Sequence, residues 1–305
     1  MEEMNNCRIC NADSNNIVKY LDGKDRWYEV EEGAFELHKC KVCETIFLFP
    51  QLSFNDLKKY YPDFYYSYHT EPVHSVFDNG LNKIKSFFYN SPFKVKKGTR
   101  ILDIGCGNGA NVAEYLKFGA ECYGIDINYQ AVEAANKKGV KAYYGDLFDQ
   151  KFENNYFDVI ILDNVFEHLQ EPKKTISKIY QLLKTGGKII ITVPNYNSLS
   201  RIIFNKFWMG YEIPRHMFIY SPYSFKKLLE NTALEIEKIR YCQNGYQIGA
   251  SLRLLLRSIS QIFILPSKPS WLFDSRVVKL LLLIISMPIN MLHLGDTIKI
   301  IIVKK

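Results

Sequence analysis

A glycine-rich turn at residues 102–110, LDIGCGNGA, is the part of the sequence best suited to binding a small ligand. Gly105, Gly107 and Gly109 recur at every second position, one residue tighter than the G-x-G-x-x-G spacing of dinucleotide-binding turns. Between a buried strand and a helix, such a turn brings backbone N–H groups close to the ligand. Asp103 precedes it, and its negative charge would repel a phosphate but attract an ammonium group. The turn therefore predicts a site for a zwitterionic amino-acid group.

Two more acidic residues follow at the ends of predicted strands. Asp126, in GIDIN, stands 17 residues after Gly109, where a carboxylate accepts hydrogen bonds from both ribose hydroxyls. Asp146, in YGDLFD, is placed to accept an adenine amino hydrogen, and Leu147 offers a backbone N–H beside it. Ribose, adenine and an amino acid together make S-adenosylmethionine, which we expect to be the cofactor.

The elements that must position these residues alternate regularly between Arg100 and about Val193. Apolar runs rich in Ile and Val, such as RILDIG, CYGIDI, FDVIILDN and KIIITVP, predict buried parallel strands. Helical patterns separate them, with Gly119, Gly139 and Gly186 at the expected helix ends. This alternation predicts an α/β fold with a doubly wound sheet.

The same stretch resembles class I S-adenosylmethionine-dependent methyltransferases, because the motifs of that family occur in order as LDIGCGNG, GIDI, GDLFD, FDVIILDNVFEHLQEP and LLKTGGKIIITVP. The resemblance implies a seven-stranded Rossmann-like sheet whose last two strands, LEIEKIRYC and TIKIIIVKK, form an antiparallel hairpin. It also implies a set of residues that line the cofactor pocket: Asp103, Gly105, Cys106, Gly107, Asp126, Ile127, Asp146, Leu147 and Asp163.

Two histidines are candidate catalytic bases for the acceptor. His168, in NVFEHL, follows the fourth strand at the rim of the predicted cleft, although it could instead organise its loop. His216, in YEIPRHMFIY, is preferred because it lies on the loop after the fifth strand, with a structural loop histidine as the alternative. Arg215 beside it is a candidate for binding an anionic group. Tyrosines of an earlier segment are candidates for covering the pocket: Tyr65, Tyr66 and Tyr68.

Two C-x-x-C pairs near the N-terminus predict a structural zinc site. Their four thiolates would complete the tetrahedral ligand set of Zn²⁺ and leave no position open, with unliganded thiols as the alternative: Cys7, Cys10, Cys40 and Cys43. The short strands in AFELHKC and CETIFLF would form a small zinc ribbon around them. With the segment that follows, this arrangement resembles the zinc-binding N-terminal domain of bacterial methyltransferases of sugar and surface-polysaccharide biosynthesis.

These features divide the chain into a zinc-ribbon-like domain at 1–50, a linking helical segment at 51–98 and a class I methyltransferase domain at 99–305. An apolar, basic insert at about 246–294 interrupts the last domain. Its longest apolar run, KLLLLIISMPINML, is shorter than a membrane span and adjoins several basic residues, which predicts peripheral contact with anionic lipid. Buried core helices or an oligomer interface are the alternative.

The charge distribution argues against nucleic acid as a partner. The formal charge of +7 is concentrated from Lys238 onward, with ten basic against two acidic residues, whereas the first 50 residues carry six basic and ten acidic ones. Seven cysteines and a polar N-terminus without a signal peptide predict a cytoplasmic protein, located at the inner face of the membrane if the insert contacts lipid.

Together the two resemblances imply an enzyme that methylates an oxygen atom of a small-molecule sugar or of a lipid-linked saccharide. One alternative is an RNA or protein methyltransferase that uses the ribbon for recognition. Another is a scaffold that binds the cofactor without catalysis.

Overall fold

Two β-sheets organise the described residues, which in this computed structural model are 6–30, 33–53, 56–57, 59–61, 93–242, 245–260 and 276–305. The smaller sheet contains β1 (Ile17–Gly23), β2 (Phe35–Cys40), β3 (Ile46–Phe49) and β9 (Phe218–Ile219) in that order. The larger sheet contains β4 (Arg100–Ile104), β5 (Glu121–Asp126), β6 (Lys141–Tyr144), β7 (Phe157–Asp163), β8 (Leu183–Pro194), β10 (Leu234–Cys242) and β11 (Thr297–Lys304).

The strand order of the larger sheet is β10-β11-β8-β7-β4-β5-β6. Strand β4 pairs in parallel with both β5 and β7, so the turn after β4 lies in the middle of the carboxyl edge. Strand β11 is antiparallel to its neighbours β10 and β8. The predicted seven-stranded sheet with a terminal antiparallel hairpin is confirmed.

Helices connect these strands: α1 (Ala110–Ala113), α2 (Tyr129–Lys137), α3 (Pro172–Leu182), α4 (Leu199–Phe204), α5 (Pro222–Leu229), α6 (Tyr246–Ser260) and α7 (Arg276–Met291). Local sequence explains where several begin. The Asn128 side chain accepts a hydrogen bond from the Ala131 N–H at the start of α2, and Ser221 and Ser224 form a capping box at the start of α5.

Both faces of the larger sheet are covered, because neighbouring residues of one strand enter different cores. Ile101 of β4 belongs to one buried cluster and Leu102 to the other. The same alternation separates Val159 from Ile160 in β7. The sheet is therefore doubly wound, as the continuous apolar runs predict.

The helix end predicted at Gly186 is wrong. Helix α3 ends at Leu182, and β8 begins at the next residue because Leu183 is fully buried and pairs with Phe157 of β7. Gly186 keeps a left-handed φ of +75°, but it lies inside the strand.

The N-terminal sheet is completed by a strand that lies about 170 residues later in the sequence than β3. Strand β9 pairs with β3 through Ile46 with Ile219 and Phe47 with Phe218. The backbone N–H of Leu48 also donates to the Met217 carbonyl at 3.0 Å. The loop after β8 is thus held directly by the cysteine-containing sheet, which the sequence did not predict.

Two helices of the predicted insert, α6 and α7, belong to the described residues. Across those residues, no helix combines the length and the apolar character that a membrane crossing needs. The middle of the insert, 261–275, and the predicted pocket-covering tyrosines at 65, 66 and 68 lie outside the described residues.

Candidate functional site

The glycine turn after β4 lies against the end of β5. The N–H groups of Gly105 and Cys106 donate to the Ile125 carbonyl at 2.8 and 3.0 Å. Gly105 and Gly109 have φ angles of +72°, and Gly107 has +51°. These angles lie in the left-handed region that favours glycine, so a side chain at these positions would strain the turn.

Asp126 fixes the turn to the end of β5. One carboxylate oxygen accepts the Gly107 N–H at 2.8 Å, and the other accepts the Asn128 N–H at 2.8 Å. The residue is only 9% exposed, and a carboxylate offers about four acceptor positions, more than the N–H groups of Gly107, Ile127 and Asn128 use. Asp126 can therefore organise the turn and still accept a hydrogen bond from a ligand.

Asp103, Asp126 and Asp163 form an acidic cluster at the carboxyl edge of the sheet. Asp103 is 5% exposed, and burial raises its pKa well above the usual range, with the charges of Asp163 and Asp126 adding to the effect. Within the described part of the chain, no lysine, arginine or histidine forms an ion pair with these carboxylates. Such a cluster favours a cationic ligand.

These observations fit S-adenosylmethionine, which carries a sulfonium and an ammonium group. The acidic cluster supplies negative charge, and the left-handed glycine turn leaves backbone close to the same edge. Asp103 suits the ammonium group and Asp126 suits the ribose hydroxyls.

The other predicted lining residues lie along the same edge, and their roles stay predictions. Ile127 is 44% exposed, as a residue that packs on a ligand surface should be, whereas Leu147 is buried. One oxygen of Asp146 accepts two N–H groups of its own turn at 2.7 and 3.0 Å. Cys106 packs against Gly124, where an added Cβ would lie 2.6 Å from the cysteine sulfur.

The structure brings the two candidate histidines together, with 4.7 Å between the ring centroids of His168 and His216. The Nδ1 atom of His168 lies 2.9 Å from the Arg215 carbonyl, and that of His216 lies 2.8 Å from the Gly210 carbonyl. Burial lowers the pKa of His168 to about 3, helped by the neighbouring His216, and the pKa of His216 to about 4. Both rings are therefore neutral near pH 7.

Two buried glutamates face the His216 ring. Its Nε2 atom lies 3.9 Å from Glu167 and 3.6 Å from Glu212. Neither carboxylate oxygen of the fully buried Glu167 has a hydrogen-bond partner among the residues that the structure describes. Burial raises the pKa of Glu167 well above the usual range, and the charges of Glu212 and Asp163 add to this rise.

The expectation that Arg215 binds an anionic group of a ligand is wrong, because its guanidinium is fully buried and already paired with carboxylates of the protein. Its two Nη atoms donate to Asp25 at 3.0 and 2.9 Å, and its Nε donates to Glu212 at 3.0 Å. A further hydrogen bond of 2.8 Å reaches the Tyr60 carbonyl. Arg215 therefore ties the N-terminal segment to the loop that carries His216.

The four N-terminal cysteines form one cluster whose sulfur atoms lie within 4.8 Å of one another. The Cys7 and Cys43 sulfurs are 3.5 Å apart, and those of Cys10 and Cys40 are 3.6 Å apart. A tetrahedral Zn²⁺ with bonds of about 2.3 Å places its sulfur ligands about 3.8 Å apart. All four cysteines are free of disulfides, so the cluster fits zinc.

The core sequence belongs to a known family. Residues 82–239, slightly more than half of the chain, match the family described as "Methyltransferase domain". The chain belongs to this methyltransferase family. Its seven-stranded sheet with a terminal antiparallel hairpin is the class I methyltransferase fold.

Relatives of this methyltransferase act on different acceptors. The rat protein "Ubiquinone biosynthesis O-methyltransferase, mitochondrial" is 28% identical over 55% of this chain and 55% of its own length. "Phosphoethanolamine N-methyltransferase 2" of Caenorhabditis elegans is 30% identical over 37% of this chain and 30% of its own length. The chain thus spans about half of the length of these relatives or less.

A solved structure with a similar fold is the S-adenosylmethionine-dependent methyltransferase from Archaeoglobus fulgidus. It is 24% identical, with a TM-score of 0.49, over 74% of this chain and 94% of that one.

Sequence reasoning about this methyltransferase missed three acidic residues beside the histidines. Glu167 directly precedes His168 in an apolar context, so a search for acidic neighbours of the candidate bases would have found it. Glu212 lies four residues before His216. Asp25 had no local signal, because its partner Arg215 is 190 residues away.

Proposed function

We propose that this protein transfers a methyl group from S-adenosylmethionine to an oxygen atom of a small acceptor, a sugar or a lipid-linked saccharide. The observation that carries the proposal is the acidic cluster of Asp103, Asp126 and Asp163 beside a left-handed glycine turn. When bound there, S-adenosylmethionine supplies a methyl group on a positively charged sulfur. A lone pair of the acceptor can attack the methyl carbon, and the sulfur then leaves as a neutral thioether.

The residues of the chain would divide the work between cofactor and acceptor. Asp103 binds the ammonium group, Asp126 binds the ribose, and Asp146 with Leu147 holds the adenine. His168 and His216 would serve as the bases, because a neutral imidazole can take the proton of a hydroxyl. Most of the acceleration would come from orienting the two reactants.

Two observations support the acceptor class. The relatives include O-methyltransferases. The sequence of the two cysteine pairs and of the segment that follows them resembles the N-terminal domain of sugar methyltransferases. Peripheral contact with lipid, which a lipid-linked acceptor would need, is supported by apolar side chains around the end of α7: Ile284, Ile285, Met291 and Leu292, which are 56%, 51%, 81% and 69% exposed.

Replacing Asp103 with asparagine should weaken S-adenosylmethionine binding about 30-fold. An ionised carboxylate contributes about 2 kcal/mol to a hydrogen bond with a cationic group, and the neutral amide loses most of that. Because the pKa of Asp103 is raised, binding to the wild-type protein should also weaken as the pH falls through that pKa. Isothermal titration calorimetry at several pH values measures both effects.

The control for this variant is Asp158→Asn. Asp158 lies near the start of β7, away from the carboxyl edge of the sheet, and its carboxylate accepts from the Arg100 N–H and from Lys184. Its cofactor affinity should match that of the wild type. Unfolding of cofactor-free Asp103→Asn should occur at or above the wild-type temperature, because the substitution removes a buried charge. Unchanged cofactor affinity in Asp103→Asn would contradict the assignment.

The acceptor class is tested by incubating purified protein with methyl-labelled S-adenosylmethionine and an extract of the source cells. The products are then separated into lipid, small aqueous molecules, nucleic acid and protein. We expect label in the lipid or small-molecule fraction, bound through an ether oxygen. Label on nitrogen, or in nucleic acid or protein, would replace the proposed acceptor, and no label with any extract would favour a scaffold.

A further inference from the structure

A second group of potential metal ligands contains none of the cysteines. Glu167, His168 and His216 each place one ligand atom within 4.8 Å of the other two. We propose that these three residues bind a divalent first-row transition-metal ion. Glu212 lies alongside, with one oxygen 3.6 Å from the His216 Nε2 atom.

The orientation of the two imidazoles supports the proposal. In each ring Nδ1 faces a backbone carbonyl, that of Arg215 for His168 and that of Gly210 for His216. The Tyr61 hydroxyl also lies 3.0 Å from the His168 Nδ1 atom. A carbonyl only accepts hydrogen bonds, so both carbonyl contacts favour the hydrogen on Nδ1 and the lone pair on Nε2, with the Tyr61 hydroxyl as a second acceptor. Histidines that bind metals show this pattern, because the Nδ1–H contact fixes the tautomer and the direction of the ring.

The buried charges support it independently. Glu167 is 0% exposed, and neither of its carboxylate oxygens has a hydrogen-bond partner in the described ranges. Asp25 and Glu212 belong to the same buried cluster, and the cation paired with them there is Arg215. A divalent ion would give the Glu167 oxygens a partner and would offset the negative charge that Glu167 and Glu212 carry when ionised.

The donor set defines the class of ion. Two imidazole nitrogens with one or two carboxylates suit Zn²⁺, Mn²⁺, Fe²⁺ or Co²⁺ and disfavour Ca²⁺ and Mg²⁺, which prefer oxygen ligands. A site without sulfur also differs from the cysteine cluster in its spectroscopy, so the two can be observed separately.

The site adjoins the cofactor cleft, because Glu167 and His168 lie in the short helical turn Phe166–His168 that follows Asp163 at the end of β7. An ion held there would lower the pKa of a bound acceptor hydroxyl, whose proton would be released to water. The histidines would then hold the ion at the Nε2 atoms that would otherwise take a proton. This role rests on the proposed methyl transfer, whereas ion binding itself does not.

The test is a Co²⁺ titration of the full chain, with zinc kept at the cysteine cluster and weakly held metal first removed by EDTA. We expect one Co²⁺ per chain, with weak visible d–d bands and no sulfur-to-cobalt charge-transfer band. The Glu167→Gln variant should bind Co²⁺ at least about 100-fold more weakly, because even the loss of an outer contact weakens such sites 10- to 100-fold.

The matched control is Glu171→Gln, an acidic residue four positions along whose side chain is 46% exposed. It should bind Co²⁺ like the wild type. If Glu167→Gln does not fold, His216→Gln serves instead, and the wild-type titration decides without either variant. Absence of a sulfur-free Co²⁺ site in the wild type would overturn the proposal, as would equal affinity in Glu167→Gln. Co²⁺ binding without stimulated methyl transfer would leave the site intact and count against its role in turnover.

Discussion

We predict that the cysteine cluster binds zinc and that the Cys40→Ser protein loses both the ion and the N-terminal sheet. Cys40 is fully buried at the end of β2, and its sulfur lies 3.6 Å from that of Cys10. Structural zinc sites contribute about 10–16 kcal/mol of binding free energy in small peptides, comparable with the whole stability of a domain. Zinc content by mass spectrometry and thermal unfolding measure the two losses.

Loss of the N-terminal sheet should also disturb the loop that carries His216, whereas most of the cofactor cleft should keep its structure. Strand β9 pairs with β3, and the loop that carries His216 directly precedes it. The glycine turn and Asp126 belong to the other sheet. We therefore expect turnover to be lost while S-adenosylmethionine binding falls much less.

Cys122→Ser is the matched control, since Cys122 is also buried and free but lies in β5, where its thiol donates to the Val112 carbonyl at 3.2 Å. A serine hydroxyl can make the same hydrogen bond, so zinc content should be unchanged. The prediction fails if Cys40→Ser retains stoichiometric zinc or unfolds at the same temperature as Cys122→Ser.

Replacing Arg215 with methionine is expected to reduce the free energy of unfolding by about 3–5 kcal/mol, because breaking a buried ion pair leaves its partner charges uncompensated. The side chains of Arg215 and Asp25 are 0% and 1% exposed. Burial acts to raise the pKa of Asp25, but hydrogen bonds and charge from Arg215 outweigh it and lower that pKa. The pair therefore stabilises the protein above the ordinary aspartate pKa and loses this contribution as the pH falls.

Urea unfolding near neutral pH and again in acid measures this effect, which should shrink at low pH. Arg257→Met is the control, because Arg257 pairs with Glu29 at 2.6 Å on the surface, with side chains 44% and 41% exposed. It should change stability by less than about 1 kcal/mol. Adding Asp25→Asn to Arg215→Met should restore part of the loss. Equal effects of Arg215→Met and Arg257→Met would show that the buried pair contributes no more than a surface pair.

Much of the larger sheet could be predicted because its signals are local. Continuous apolar runs mark β4, β5, β7 and β8, and each is followed by a turn or helix start that chain geometry confines to the same edge. The cysteine spacing likewise predicts the cluster that the structure contains. Local pattern was weaker at the end of α3, where burial of Leu183 in a strand overrode the expected glycine cap.

The surroundings of His216 could not be predicted in the same way, because the residues that contact one another there are distant in sequence. The two-residue strand β9 is too short to show alternation, and Arg215 meets a carboxylate 190 residues away. The Pro-Arg-His sequence suggests a functional role for Arg215. Only the fold shows that its guanidinium pairs with Asp25 inside the protein.

Strand β9 lies late in the chain but belongs to the N-terminal sheet. We therefore expect the N-terminal segment and the methyltransferase segment to be inherited together. Phe218 and Ile219 are each 1% exposed, and their strand pairs with β3 at the edge of the cysteine-containing sheet. A shortened chain without that sheet would display an apolar strand edge, which other chains could join as an added strand. Recombination that exchanged the first 50 residues for an unrelated segment would therefore yield an aggregating protein unless the β9 region changed with it.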